Sequence, residues 1–215
     1  MRVFVHLVSR DLARALASGG MAMPVVFFLL VATLYPFAVG PDAVLLGKSG
    51  GGMLWVAALL AALLPVDRLV APDAAAGVLE QLAVRGISDE LVVAAKLVAH
   101  WTGFALPLML AAVPASALLN LDGAVLMRLE IGLLLGTPGL AALGVLVASL
   151  TTGLKGTSAL TGLLMLPLAI PILIFGTGSL APIDGGALKL LAAASLLLVA
   201  LTPFAGGAAL RAGRE

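Results

Sequence analysis

The chain has 215 residues, of which 62% are hydrophobic and only 11% charged, and its formal net charge is +1. Soluble domains carry about 25% charged residues, so this composition excludes an ordinary water-soluble protein. The absence of cysteine excludes disulfides and thiolate metal sites, and the few dispersed basic residues do not indicate nucleic-acid binding.

Six windows contain no Asp, Glu, Lys or Arg: residues 15–41, 49–66, 97–121, 131–154, 156–183 and 190–210. A membrane-spanning helix needs about 20 apolar residues, and only helices or closed barrels satisfy their backbone groups in lipid. Because the windows show no period-2 alternation, they predict helices rather than barrel strands. We therefore predict an all-α membrane protein forming a single domain over residues 1–215. Its six spans are predicted at about 21–40, 50–66, 97–119, 130–152, 158–178 and 188–210.

The basic residues predict the orientation of these spans. With both termini in the cytoplasm, nine of the twelve Lys and Arg residues face inward, and Lys48, Arg128 and Lys189 face outward. This matches the positive-inside bias. The first window is longer than the 7–15 residues or so of a signal-peptide core, so we expect an uncleaved first span.

The segment before span 1 has two interpretations. Residues 2–14 combine apolar Phe4, Leu7, Val8 and Leu12 with three arginines. This pattern is typical of an amphipathic helix on the membrane surface, but it also fits an ordinary basic flank of span 1.

The first outer loop is predicted at residues 42–52, after the helix break at Gly40-Pro41. Trp55 then lies near the outer end of span 2, where an interfacial anchor is expected. Gly47-Lys48-Ser49 is similar to the end of a phosphate-binding loop. That motif requires a glycine at position 42, where this chain has Asp42, so we reject nucleotide binding.

Between spans 2 and 3 the sequence becomes charged, with eight charged residues in 67–96. Pro72-Asp73 predicts a helix start with Asp73 as a possible N-cap, and Gly86 predicts its end. Ser88 is expected to cap the next helix, which continues into span 3. We thus predict one short amphipathic cytoplasmic helix over about 73–85, which needs the lipid interface or another protein as its partner.

Two features within the later spans stand out. Span 5 contains Pro167 and Pro171, which makes it the best candidate for a broken or re-entrant helix. His100 and Trp101 lie about one turn into span 3. They are read either as interfacial residues or as contacts for heme or another substrate. No span contains a carboxylate pair or a catalytic motif, so the chain is not expected to be an enzyme, and any energy source must come from a partner.

Several local motifs in order along the chain resemble one family, the heme exporter protein B (CcmB) permeases of cytochrome c maturation. The architecture also resembles type-2 ABC exporter permeases. The motifs are Leu34-Tyr35-Pro36 with Gly40-Pro41, Trp55-Val56-Ala57-Ala58-Leu59-Leu60, Gly77-Val78-Leu79-Glu80-Gln81-Leu82, Ala95-Lys96 with Ala99-His100-Trp101, Leu135-Gly136-Thr137-Pro138, Gly153-Leu154-Lys155, Leu166-Pro167-Leu168 with Ile170-Pro171, and Pro203-Phe204-Ala205 with Ala208-Ala209-Leu210-Arg211. One departure is the turn Arg85-Gly86-Ile87-Ser88-Asp89, where the family has a proline-rich turn.

The resemblance implies a permease of the bacterial inner membrane that binds no cofactor itself, with heme as the substrate of its complex. It implies an ATPase subunit, CcmA, which would bind the ATP, together with the membrane subunits CcmC and CcmD, the heme chaperone CcmE and a second copy of the chain. The coupling helix would comprise Gly77, Val78, Leu79, Glu80, Gln81, Leu82 and Arg85. Its apolar Val78, Leu79 and Leu82 would enter a groove of the ATPase, and Glu80 and Arg85 would orient it.

Three functions remain open at this point. The chain could carry heme, or it could transmit ATP-driven motion that releases the heme-loaded chaperone while heme moves through another subunit. It could also be a permease for a lipid or another amphiphile, which likeness of fold alone would allow. A channel or secondary transporter is disfavoured because no polar site appears at mid-membrane.

Overall fold

The computed structural model describes residues 1–152, 158–181 and 185–214, apart from the side chains of residues 158–160. Within these ranges the chain forms helices joined by short turns. The helices are α1 (Arg2–Ala17), α2 (Ala22–Val39), α3 (Ala43–Leu63), α4 (Ala71–Ala75), α5 (Val78–Val84), α6 (Asp89–Leu118), α7 (Gly123–Thr151), α8 (Ser158–Gly178) and α9 (Gly186–Ala212), with a 3₁₀ turn at Val66–Arg68.

Six of these helices are long and apolar enough to cross a membrane: α2, α3, α6, α7, α8 and α9. The predicted all-α fold with six spans is therefore confirmed. Helix α7 lies at the centre and packs against α3, α6, α8 and α9, whereas α2 and α9 leave most of their surface uncovered. Such apolar outer faces are the surfaces that lipid covers.

Small residues let the central helices approach closely. A Cβ atom at Gly139 of α7 would lie only 2.9 Å from the Cα of Ser195 in α9. A Cβ at Gly206 of α9 would lie 3.0 Å from a methyl of Val93 in α6. Helices in lipid gain their packing energy from such close contact, since apolar burial alone gives no advantage there.

Helix α1, residues 64–88 and the C-terminus lie at one end of the bundle, which we call the connector end. Arg211 of α9 donates a hydrogen bond to Glu90 at the start of α6, and Arg214 donates to Asp89 beside it. The α2–α3 and α6–α7 turns lie at the opposite end, where Asn120 donates from its side chain to the carbonyl of Ala43.

The outer loop predicted at residues 42–52 is wrong, because α3 already begins at Ala43. The side chain of Asp42 accepts hydrogen bonds from the backbone N–H groups of Val44 and Leu45, at 2.9 and 3.1 Å. This N-cap starts the helix directly after the Gly40-Pro41 break. The glycines that suggested a loop instead provide close packing, since a Cβ at Gly50 would lie 2.8 Å from Leu119.

The interfacial position predicted for Trp55 is also wrong. Its side chain is fully buried in a niche formed by three glycines, Gly132 and Gly136 of α7 and Gly176 of α8. A Cβ atom at Gly136 or Gly176 would come within 2.7 Å of the indole ring. The ring is therefore accommodated only because three facing positions lack side chains.

Span 5 is not broken. Helix α8 runs without interruption from Ser158 to Gly178 through Pro167 and Pro171. It begins at the connector end, where Thr161 donates a hydrogen bond to Asp67, and finishes at the opposite end, near Gly51 of α3. Proline is tolerated inside such a helix when neighbouring helices hold it in place.

We predict that Gly139→Ala destabilises the protein by about 1–3 kcal/mol, because the new methyl group would overpack the α7–α9 contact. The thermal unfolding of the purified protein in detergent would measure this loss. Gly162→Ala in α8 is the matched control, since a Cβ there meets nothing within 4 Å. Equal stability of the two variants would contradict the packing described here.

Candidate functional site

The connector, residues 64–88, contains two short helices where one was predicted. Helix α4 ends at Ala75, and Gly77 adopts a left-handed conformation with φ of 67° before α5 begins at Val78. The single helix expected over 73–85 is therefore wrong. Gly77 introduces the break because a left-handed residue is readily accommodated only as glycine.

The end of the connector follows the sequence prediction. Gly86 is left-handed, with φ of 73°, and the N–H of Ile87 donates to the carbonyl of Leu82 across the turn. The side chain of Ser88 then accepts a hydrogen bond from the N–H of Leu91 and caps α6. The predicted helix stop and the predicted cap are both confirmed.

Helix α1 is a separate helix that packs against α6. It is separated from α2 by a turn in which Gly19 has φ of 68°, so the interpretation as a simple flank of span 1 is wrong. Leu7 of α1 is buried, and the Met21 side chain lies against Gly103 of α6. The polar side of α1 turns toward the connector.

Five charged side chains from α1, α4 and α6 form a cluster around Asp73. Lys96 of α6 donates to Asp73 at 2.6 Å, and Arg10 and Arg14 of α1 donate to the same carboxylate at 2.8 and 2.5 Å. Lys96 also bonds Asp11 at 3.3 Å and the carbonyl of Leu69 at 2.8 Å. We call these residues (Arg10, Asp11, Arg14, Asp73 and Lys96) the Asp73 cluster.

The expected role of Asp73 as a helix N-cap is therefore wrong. Its side chain is 2% exposed and that of Lys96 is 5% exposed, so both charges are largely withdrawn from bulk solvent. Burial alone would lower the pKa of Arg10, but Asp11 and Asp73 raise it above its ordinary value. A buried charge needs such partners, because removing one leaves the others uncompensated.

Helix α5 lies beyond the cluster and exposes one side to solvent. Glu80, Gln81 and Arg85 are exposed, and Val84 is 90% exposed. Leu79 is only 4% exposed because it packs into the chain's own core.

Leu82 is partly buried against the same core, so Leu79 and Leu82 both contribute to the packing of the chain itself. The exposed surface of α5 combines the polar Glu80 and Gln81 with the apolar Ala83 and Val84.

A cavity of about 520 Å³ lies beside the cluster at the connector end. Its lining includes Pro65, Arg68 and His100 along with members of the Asp73 cluster. His100 is 7% exposed, its ring is stacked on Phe104 with centroids 5.7 Å apart, and its Nε2 has no hydrogen-bond partner among the described residues. The volume and the mainly apolar lining suit a small hydrophobic ligand.

The structure separates the two residues that the sequence placed together. Trp101 turns away from this cavity and donates from its indole nitrogen to Thr137 of α7 at 3.1 Å. No group of three or more His, Cys, Asp or Glu side chains that could hold a metal occurs in the part of the chain that the structure describes.

The Asp73 cluster itself escaped the sequence analysis. Arg10 and Arg14 are one helical turn apart, and Lys96 is a single cation at the start of a span. Neither feature indicates a charged site unless Asp73 is known to lie beside it. The contacts within the cluster join residues up to 85 positions apart, as between Asp11 and Lys96, and no local pattern encodes that distance.

Comparisons with known proteins agree with the resemblance seen in the sequence. A family model described as "CcmB protein" matches residues 2–213. Heme exporter protein B of Rhodobacter capsulatus is 46% identical over 211 residues, which cover 95% of this chain and 97% of that protein. The protein of the same name from Haemophilus influenzae is 41% identical, with 97% of each chain covered, and that of Escherichia coli K12 is 42% identical, with 90% of each covered.

We predict that Asp73→Asn destabilises the protein by about 3–5 kcal/mol, because buried Lys96 would keep only the more distant carboxylate of Asp11, at 3.3 Å. Thermal unfolding in detergent measures the change. Glu90→Gln is the control, since it removes a carboxylate whose partner Arg211 is half-exposed, and pairs of that kind contribute little.

The double variant Asp73→Asn/Lys96→Met tests the cause of that loss. Removing both buried charges should restore part of the stability, since replacing a whole buried pair is far less costly than breaking it. Additive losses in the double variant would show that Asp73 acts through something other than its pairing with Lys96.

Proposed function

The chain belongs to the CcmB family, and we propose that it is the membrane-spanning permease subunit of an ATP-driven complex that exports heme for the maturation of c-type cytochromes. The name of its relatives, heme exporter protein B, supports this assignment. The structure of the connector gives the best support. Its helix α5 has an exposed surface, and the Asp73 cluster attaches the same segment to α1 and α6.

The energy would come from a separate ATPase subunit, CcmA, which binds the ATP and contacts α5. The chain itself would catalyse nothing. Glu80, Gln81 and Arg85 would make polar contacts around Val84, and Gly77 and Val78 would set the angle at which α5 meets the ATPase. This replaces the earlier expectation that Leu79 and Leu82 insert into the partner, since both contribute to the chain's own core.

The Asp73 cluster offers a direct route for transmitting the motion. A displacement of α5 by the ATPase would move α4 through the turn at Gly77. Because Asp73 of α4 is bonded to Lys96 and Arg10, α6 and α1 would move with it. Ion pairs buried to this degree keep their geometry because separating them exposes unpaired charge. The helices would then tilt together as the ATPase closes.

We further propose that the connector end faces the cytoplasm of a bacterium whose inner membrane holds the six spans. Nine of the twelve basic residues lie in segments assigned to that side, in agreement with the positive-inside bias. Both termini would be cytoplasmic, where α1, the connector and the end of α9 lie together.

Heme itself would be the substrate, and the cavity at the connector end is the best candidate for its entry. His100 lines that cavity and could contact the porphyrin or its iron. Trp101 bonds Thr137 instead, so its contribution would be to hold α6 against α7. CcmC, CcmD, the chaperone CcmE and a second copy of the chain would complete the assembly in the lipid bilayer.

The alternative is that the chain only transmits motion, with heme passing through another subunit. The absence of a charged path through the described spans favours this reading, but a hydrophobic substrate moving along a lipid-facing surface fits equally well. A permease for a lipid or another amphiphile is the remaining candidate.

Deletion of the chromosomal gene distinguishes these functions, with mature cytochrome c followed by heme stain and the heme-loaded chaperone measured beside it. Loss of cytochromes with accumulation of the loaded chaperone would support release driven by transmission. Loss of both would support delivery of heme through this chain. Normal cytochromes would contradict the proposed function and favour the lipid or amphiphile permease.

We predict that Val84→Asp and Glu80→Arg each abolish most co-purification of the ATPase while leaving the chain folded in the membrane, since both residues are exposed. Ala75→Asp is the matched control, because it places a carboxylate on an exposed connector position outside α5. Normal recovery of the ATPase with both α5 variants would contradict the proposed coupling surface.

We predict that His100→Ala lowers the heme bound to the purified complex without changing its assembly, measured by pyridine hemochrome absorbance. The other histidine, His6, is exposed on α1, so His6→Ala is the control for a general effect of losing an imidazole. Unchanged heme after His100→Ala would assign His100 a packing role beside Phe104.

A further inference from the structure

A second cavity, of about 740 Å³, opens at the opposite end of the bundle. It lies where the start of α3, the α6–α7 turn, the start of α7 and the end of α8 meet. Gly51 and Gly52 form part of its wall, and Trp55 lies one turn further along α3. This tryptophan is fully buried.

Two cations without a carboxylate partner line this cavity. Lys48 of α3 and Arg128 of α7 both belong to its wall, and neither takes part in any ion pair within the described ranges, although the chain has several such pairs at its connector end. Asp122 is the one acidic residue of the described lining, and it too is unpaired. The wall therefore carries a net positive charge.

Arg128 provides the most specific observation. Its Nε is buried and has no hydrogen-bond acceptor among the described residues. A buried guanidinium donor is costly unless an acceptor satisfies it, and none of the described residues accepts from this Nε. The guanidinium presents a planar fork of donors that matches a carboxylate or phosphate in two-point contact.

Two hydroxyl groups of the wall are already engaged elsewhere. The hydroxyl of Ser49 lies between Tyr35 and the carbonyl of Leu45, and Thr177 donates to the carbonyl of Leu173 within its own helix. At the start of α7, Asp122 makes no side-chain capping bond, so the first N–H groups of that helix add partial positive charge beside Arg128.

We propose that this outer cavity is a binding site for the oxyanion group of an amphiphile, a carboxylate or a phosphate, held by Arg128 and Lys48. Arg128 would supply the two-point contact and Lys48 the second charge at the entrance, where it is exposed. The volume lies within the range of ordinary ligand sites, about 300–1,000 Å³. A ligand with an apolar body could place that body toward the surrounding lipid.

Two sources can provide such a group, and a binding experiment distinguishes them. The full-length chain is placed in phosphatidylcholine nanodiscs. In one arm, iron-free deuteroporphyrin, which carries two carboxylates, is titrated by fluorescence anisotropy, with its dimethyl ester as a probe without charge. In the other arm, phosphatidylglycerol replaces part of the lipid, and the thermal midpoint is recorded.

We expect Arg128→Gln to weaken the preferred probe about 10-fold, the effect of losing one charge-assisted contact, and Lys48→Gln to weaken it less and in a salt-dependent way. Lys189→Gln is the matched control, because Lys189 is an exposed cation at the same end that does not line the cavity. Arg128→Lys, which keeps the charge but not the planar fork, should fall between the native chain and Arg128→Gln.

If binding of deuteroporphyrin, but not of its ester, requires both Arg128 and Lys48, the result would support a site for a carboxylate ligand. If stabilisation by phosphatidylglycerol requires both residues, the result would support a site for a lipid phosphate. Equal binding of both probes by the native chain and the Arg128 and Lys48 variants would overturn the proposal. If Arg128→Gln does not fold, Lys48→Gln and Lys189→Gln still provide the comparison.

The porphyrin arm rests on the proposed function, whereas the lipid arm does not. Failure in both arms leaves heme export untouched, because cytochrome maturation in the deletion strain tests that function separately. Conversely, normal cytochromes in that strain together with lipid binding through Arg128 would retain the oxyanion site and reject heme.

Discussion

The placement of Asp73 in a nearly dry environment determines how the connector end of this protein is built. One carboxylate is shared by a lysine and two arginines from two other helices. The two buried groups, Asp73 and Lys96, cannot separate without leaving a buried charge short of partners. The cluster therefore fixes α1 against α6 and holds α4 between them, which leaves α5 as the part of the connector that can meet a partner.

The membrane-spanning part is organised by a different constraint, the need for close contact between apolar helices. Small residues remove the steric obstacle at the positions where α7 meets α9 and where Trp55 enters its niche. The large ring fits closely because the three positions that face it lack side chains. The close contacts at Gly139 and Trp55 therefore determine which helix faces pack together in the membrane.

The two ends of the bundle differ in how their charges are used. At the connector end nearly every buried charge has a partner, and the cavity there is lined by the cluster and by His100. At the opposite end, Lys48 and Arg128 line a cavity and form no ion pair with any residue that the structure describes. A transporter that receives a ligand at one end and passes it on at the other would benefit from such asymmetry, since a paired site is rigid and an unpaired one attracts anions.

The sequence by itself determined the membrane class, the six spans, the caps at Ser88 and Gly86, and the family, because these depend on local composition, on turn chemistry and on motifs in order. The tertiary structure decided the rest. Trp55 is buried because glycines from two other helices face it. Helix α8 stays continuous through its prolines because neighbouring helices support it. Asp73 meets Lys96 only when the connector folds back. Each of these depends on residues distant in sequence, whose proximity no local pattern can specify.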